Sequence, residues 1–166
     1  MQLVLIIRSF ILSALVLCTA SAVAAQGTSV AFGTIRQNTD DPVEVSADEL
    51  AVDQDSGRAI FTGNVLIGQG EMRLSAPRVL VVYKDGNSGI QSLEATGGVT
   101  LVNGPDAAEA SRADYNIDDG VIVMTGDVLL TQGASALTAD RMTIDLDDGT
   151  ALMNGRVKTI LQPNQN

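Results

Sequence analysis

The residues able to do chemistry in this 166-residue chain are almost all carboxylates. Asp53 and Asp55, Asp118 and Asp119, and Asp147 and Asp148 form close pairs. Paired carboxylates can cleave glycosidic bonds, one as acid and the other as base or nucleophile. The stretch "DQDSG" at 53–57 also has the D-x-D-x-G opening of a calcium loop, and oxygen-only ligation suits that ion. It lacks the distant bidentate Glu of a helix-flanked loop and the nonapeptide repeats of calcium β-rolls. All three pairs stand in glycine-rich stretches, and Asp–Gly clusters supply the backbone that hairpin turns need. Turn chemistry is therefore the simpler reading, with no catalytic residue, metal or cofactor expected.

Composition removes other chemistries. The chain has no His and one Cys, Cys18, which excludes Ser/His/Asp and Cys/His machinery and zinc sites of the usual ligand types. No phosphate-cradling G-x-x-x-x-G-K loop occurs. Twenty acidic residues oppose ten basic ones, a formal net charge of −10. That argues against nucleic acid, which needs clustered Lys and Arg, and against adhesion to anionic membranes.

Residues 1–24 read as a secretory signal peptide. Arg8 precedes the apolar "SFILSALVLC", and Ala22 and Ala24 fit a small-residue cleavage site before Ala25. Cleavage before Gln26 and a retained membrane anchor are the alternatives. A cleaved chain loses Arg8 and Cys18, keeps no thiol for a disulfide, and must be held together by packing. Residues 25–41 read as a flexible lead-in and 162–166 as a polar tail.

Between these segments the elements are strands. Turn signals recur at Gly57, Gly70, Gly86, Gly104, Gly120, Gly133 and Gly149, with gaps of 13, 16, 18, 16, 13 and 16 residues. Such gaps are too long for one typical strand of about 5 or 6 residues and too short for two with a full loop. Each holds an interruption near its middle. Ala-Asp or Ala-Pro occurs at 47–48, 76–77, 113–114 and 139–140; Thr-Gly or Asn-Gly occurs at 62–63, 96–97, 125–126 and 154–155. Gly inside a strand marks a bend or bulge. The pattern therefore predicts an all-β, elongated, flattened jelly roll: a bent antiparallel meander of about eight rungs whose halves form two facing sheets. "SADELAVDQDSGRAIFTGNVLI", "SRADYNIDDGVIVMTGDVLL" and "LTADRMTIDLDDGTALMNGRVKTI" are copies of one weak repeat.

Alternation selects the inward faces. The candidates for an interior, lipid-binding groove are Phe61, Val65, Ile67, Met72, Leu74, Val79, Val81, Tyr83, Leu93, Val99, Leu101, Tyr115, Ile117, Val128, Leu130 and Ile144, with Val123, Met142 and Leu146 beside them. With aromatics at 3%, short side chains must fill a long interior whose ends are open.

The stretch "FTGNVLIGQGEMRLSAPRVLV" resembles the LptA/OstA family of lipopolysaccharide-transport proteins. The similarity continues through "MTGDVLLTQGASALTADRMTIDL" and, with "PVEVSADELAVD", covers residues 42–161. One departure is Pro77, where the family pattern has Asp. The resemblance implies a periplasmic protein, after signal-peptide cleavage, that bridges the inner-membrane Lpt export complex and the outer-membrane Lpt translocon. Lipopolysaccharide would travel with its acyl chains in the apolar groove. Docking would use edge-strand pairing, here through Val43, Val45, Val52, Val157, Thr159 and Leu161, with head-to-tail self-association. Arg58, Arg73, Arg78 and Arg141 are candidates to place phosphates. A membrane-retained docking scaffold of the same fold and a β-scaffold carbohydrate-active enzyme are the alternatives.

Overall fold

A computed structural model describes residues 27–32, 41–87 and 89–160. Strands dominate: β1 (Thr28–Ala31), β2 (Glu44–Ser46), β3 (Glu49–Asp53), β4 (Arg58–Gln69), β5 (Met72–Tyr83), β6 (Ile90–Asn103), β7 (Asp106–Asn116), β8 (Val121–Gln132), β9 (Ser135–Asp145), β10 (Thr150–Asn154) and β11 (Lys158–Ile160). All pairings are antiparallel and join chain neighbours, except that β1 pairs β10, β2 pairs β4 and β11 pairs β9.

Each of β4 to β9 is bent once. Registers shift between Thr62 and Val65, Ser75 and Arg78, Thr96 and Val99, Glu109 and Arg112, and Thr125 and Val128. On the even strands the bend is a pair of residues in the left-handed region: Gly63–Asn64, Gly97–Gly98 and Gly126–Asp127. Gly155–Arg156 makes the same bend between β10 and β11. Counting β2 with β3 and β10 with β11 as split rungs, the meander has eight rungs. Buried side chains lie on one face along both halves of these rungs and form a single core, so the halves must face each other. The corners close one side of this folded sheet. The turn tips of both halves line the opposite side, the mouth.

Three expectations need correcting. The third Ala corner is Ala110–Ser111, not Ala113–Asp114, because Glu109 pairs Leu129 and Arg112 pairs Thr125. Ala110-Ser111-Arg112 is thus the counterpart of Ala139-Asp140-Arg141 and Ala76-Pro77-Arg78. Val123 does not face inward: Ile122 and Met124 on either side of it are fully buried. The segment 25–41 is not all loose lead-in, since Thr28–Ala31 forms β1 on the outer edge of β10 and Phe32 is fully buried. Strand pairing and an aromatic anchor hold it. The signal-peptide and tail assignments lie outside the described residues.

Candidate functional site

The acidic pairs are turn residues. Asp53 accepts the backbone N–H groups of Asp55 (3.0 Å) and Ser56 (3.2 Å), and Asp145 those of Asp147 and Asp148 (3.0 Å each). Asn116 takes the same role toward Asp118 and Asp119. Each is followed four residues later by a glycine in the left-handed region, Gly57, Gly120 or Gly149. Hydrogen bonds from Ser56 hold the Asp53 carboxyl below its ordinary value. Asp118 is paired with Lys84 and Asp119 with Asn116. These carboxylates stabilise hairpins and are not gathered around a common point. Among the described residues no cluster of acids could hold a metal ion.

The interior is where the sequence concentrates its regularity. Three apolar ladders cross the sheet in register. The first runs Val45, Ile67, Leu74, Leu101, Ala108, Leu130, Leu137 and Thr159. The second runs Val52, Ala59, Val81, Leu93, Tyr115, Ile122, Ile144, Ala151 and Val30, and the third Leu50, Phe61, Val79, Ala95, Ala113, Met124, Met142, Met153 and Thr28. With strands about 4.8 Å apart, a ladder of nine spans roughly 38 Å.

Of the groove candidates, Val65, Ile67, Met72, Leu74, Val79, Val81, Leu93, Val99, Leu101, Tyr115, Val128, Leu130 and Ile144 are buried on this inner face, as are Met142 and Leu146. Phe61, Tyr83 and Ile117 are partly buried against it. Sequence reasoning missed Phe32, Ala59, Ala76, Ala95, Ala108, Ala110, Ala113, Ile122, Met124, Leu137, Ala139, Ala151 and Met153. The spacing at the corners would have found most of them. Inward residues stand four apart across a glycine corner (Phe61 and Val65, Ala95 and Val99, Met124 and Val128). They stand three apart across an Ala-x-Arg corner (Ala76 and Val79, Ala110 and Ala113, Ala139 and Met142).

The two ends of the ladders differ. At the β10 end they finish in Thr28, Val30 and Thr159. Phe32 is buried there, and its N–H donates to the Gly149 carbonyl at 3.0 Å. At the other end the first finishes in Val45 on β2, and the third and second finish in Leu50 and Val52 on β3. Leu50 and Val52 pair with inward Phe61 and Ala59 and yet are 55% and 59% exposed, because among the described residues no strand lies beyond them. Among the edge candidates, Val45 lies on β2 and Val52 on β3, with Val43 half-buried just before β2. Val157 is exposed just before β11, and Thr159 lies on β11. Leu161 lies outside the described residues. β10 is not itself an edge, because β1 pairs with it. Among the described residues, the free margins at this end are β1 and β11.

Arg112 is held between Asp114 (2.6 Å) and Glu94 (2.8 Å), which keep its guanidinium charged. Register places it in one row with Thr62, Arg78, Thr96, Thr125 and Arg141 beside the corners. Arg58 and Arg78 line one surface groove at the β3 end, and Arg73 lines another over β2.

The interior is not wholly apolar. Tyr115 donates its hydroxyl proton to the Gln69 side-chain oxygen at 2.7 Å, both residues being buried. Burial pushes the Tyr115 phenol up to about 12 from 10.0. The folded state thus favours the neutral phenol. Its stabilising effect is complete below pH 10 and declines as pH rises from 10 toward 12. Tyr115→Phe is expected to abolish that part of the alkaline loss of stability. The chain has two tyrosines and no Trp, so the variant also leaves a single phenol, and the difference in ultraviolet phenolate titration isolates Tyr115. A Tyr115 phenol titrating at the ordinary value would mean that the ring is solvated.

Comparison with known proteins bears on this architecture. The family described as LptA/(LptD N-terminal domain) LPS transport protein matches residues 44–150, most of the described meander. The chain belongs to this family. An uncharacterised protein of Rhizobium meliloti (strain 1021) is 32% identical over 112 residues, 63% of this chain and 60% of that protein. The lipopolysaccharide export system protein LptA of Escherichia coli (strain K12) is 27% identical over 102 residues, 58% of this chain and 55% of that protein. The chain therefore spans somewhat over half the length of these curated relatives. The crystal structure of LptH, the LptA-homologous periplasmic component of the lipopolysaccharide transport device of Pseudomonas aeruginosa, superimposes with a TM-score of 0.68. It covers 76% of this chain and 99% of that one at 16% identity, a likeness of fold. The family consists of transport proteins rather than enzymes, which agrees with acids spent on turns.

Proposed function

We propose that the protein is a periplasmic carrier of lipopolysaccharide, bridging the inner-membrane Lpt export complex and the outer-membrane Lpt translocon. The acyl chains lie against the inner faces of the two half-sheets. The observation that carries this reading is the set of largely apolar ladders, two of which end in exposed, inward-facing Leu50 and Val52. A packed core alone has no need to end in uncovered Leu and Val. Side chains fill the space between the halves in the free protein, so a ligand enters by parting them or from this end. Burial of each CH₂ contributes about 0.8 kcal/mol, so several acyl chains supply the binding energy without basic residues. Arg58, Arg73 and Arg78 stand at the same end but on the outer face, the face of Ile60, and so are not placed to meet phosphates held between the halves.

Docking uses the free margins: β2 and β3 at one end, β1 and β11 at the other. Unpaired edges of this kind accept a further strand. Head-to-tail pairing of copies follows the same logic, and the contact does not close on itself.

Photo-crosslinking tests the path. Phe61 and Ile60 are adjacent on β4 and point to opposite faces. A reactive side chain at 61, but not at 60, is expected to crosslink lipopolysaccharide in cells. Crosslinking at 60 alone would place the lipid on the outer face. Silence at both in folded protein would favour a membrane-retained docking scaffold, which uses the edges and not the interior.

A further inference from the structure

The Tyr115–Gln69 contact joins opposite halves of the folded sheet. Tyr115 lies in the half of β7 that follows its corner, and Gln69 at the end of the half of β4 that follows its own. The two halves belong to different faces of the interior, three strands apart in the sheet order. The Gln69 amide is used at both ends: its oxygen accepts from Tyr115 at 2.7 Å, and its nitrogen donates to the Asp41 carbonyl at 3.0 Å. One amide thus fastens both halves and the chain entering β2. A second, similar fastening lies toward the other end. The Gln132 amide donates to the Ala31 carbonyl on β1 at 2.6 Å and to Asp106 at 2.9 Å. Gln69 and Gln132 occupy equivalent places in the repeat, each the last strand residue before a glycine turn, so the repeat itself sets polar groups along the mouth.

Parting the halves has a consequence for what can enter. Separation breaks the Tyr115–Gln69 bond and takes from the Tyr115 hydroxyl its acceptor in an apolar interior. Unsatisfied buried polar groups are costly, whereas restoring the bonds to another partner removes most of that cost. A hydrocarbon tail offers no such partner. An acyl chain joined to its head group through an amide offers a carbonyl for the Tyr115 hydroxyl and an N–H for the Gln69 oxygen.

We propose that Tyr115 and Gln69 form a specificity latch across the mouth, selecting amphiphiles that carry a hydrogen-bonding amide at the root of the alkyl chain over amphiphiles joined by an ether. The inference rests on the carrier reading above and adds a chemical preference to it.

The test uses protein purified as its host processes it and two amphiphiles of equal chain length, N-dodecanoyl glucosamine and dodecyl glucoside. Each competes with a fluorescent alkyl probe. The wild type is expected to bind the amide about tenfold more tightly, as for one net hydrogen bond. Tyr115→Phe, which removes one oxygen and keeps the ring, should improve dodecyl glucoside binding and lower the preference to about threefold. Tyr115→Phe with Gln69→Leu should remove it. A residue that merely packs would shift thermal stability and both affinities together and leave their ratio unchanged. Circular dichroism reports whether each variant folds; should the double variant fail, the single variant decides. Equal binding of the two amphiphiles by the wild type, or an unchanged ratio in Tyr115→Phe, overturns the latch and leaves the carrier reading standing. Binding of neither overturns both.

Discussion

Leu50→Ser with Val52→Thr is expected to weaken capture of an acylated lipid roughly thirtyfold while leaving the fold intact. Both side chains face the interior through their pairing with Phe61 and Ala59, and both are more than half exposed. Little of their apolar surface is buried within the chain, so its loss costs folding less than about 1 kcal/mol. An acyl chain threading between the halves at this end would cover that surface. Covering the exposed part of a Leu and a Val contributes about 2 kcal/mol at 25 cal/mol per Å², and 1.4 kcal/mol is a tenfold change. The measurement is lipid affinity beside thermal unfolding, with sedimentation to follow self-association. Unchanged affinity with lost self-association would mean that these residues lie beneath a docked strand. Unfolding would mean that they support β4 as ordinary core.

The fold was legible because its repeat is spelled in glycine and aspartate. Turn glycines fix where the rungs end, and Thr-Gly or Asn-Gly fixes where they bend. The inward phase was read correctly from Phe61 to Ile67, on both sides of a glycine corner. It was lost where inward residues are alanines. In "DAAEASRADYN" the buried Ala108, Ala110 and Ala113 are too small to stand out as core residues, and the corner was read three residues late. It was also lost in "VIVM", where every residue is apolar, and pairing across the sheet decides that Ile122 and Met124 point in. β1 was illegible for a different reason. Its partner β10 lies more than a hundred residues away, and the strand is four residues long with one half-buried Val. Nothing local marks such a strand. The Tyr115–Gln69 pair shares this property: each residue is unremarkable in sequence, and only the folding over of β4 and β7 brings them within 2.7 Å.

The corners themselves should be the most sensitive points in the backbone. Gly63→Ala is expected to destabilise the protein by about 3 kcal/mol, and Gly133→Ala by only about 1 kcal/mol. Both glycines lie in the left-handed region, at φ of 78° and 57°, and an L-residue there costs roughly 1–2 kcal/mol. They differ in what surrounds them. A Cβ at Gly63 would stand 2.5 Å from the Asp48 Oδ2, whereas one at Gly133 meets nothing within 4 Å. Moving Asp48 aside breaks its 2.8 Å hydrogen bond from the Asn64 side chain and strains the 2.9 Å bond from its own N–H to the Gly63 carbonyl. A shift in thermal midpoint of roughly 10 °C is expected for Gly63→Ala. The cause can be isolated with a double-mutant cycle: Asp48→Ala removes the obstructing carboxylate, so the double variant should be less destabilised than the sum of the two single changes. Additive effects would instead place the whole cost in the backbone angle. The same nesting recurs at Gly97 against Pro77, Gly126 against Ser111 and Gly155 against Asp140, so the spine is one contact repeated. Pro77 fits there because its ring lies 3.3 Å from the site a Gly97 Cβ would take, filling the place that a carboxylate fills at Asp48 and Asp140. The spine holds the two halves at a fixed angle. Any ligand that parts them must do so at the mouth.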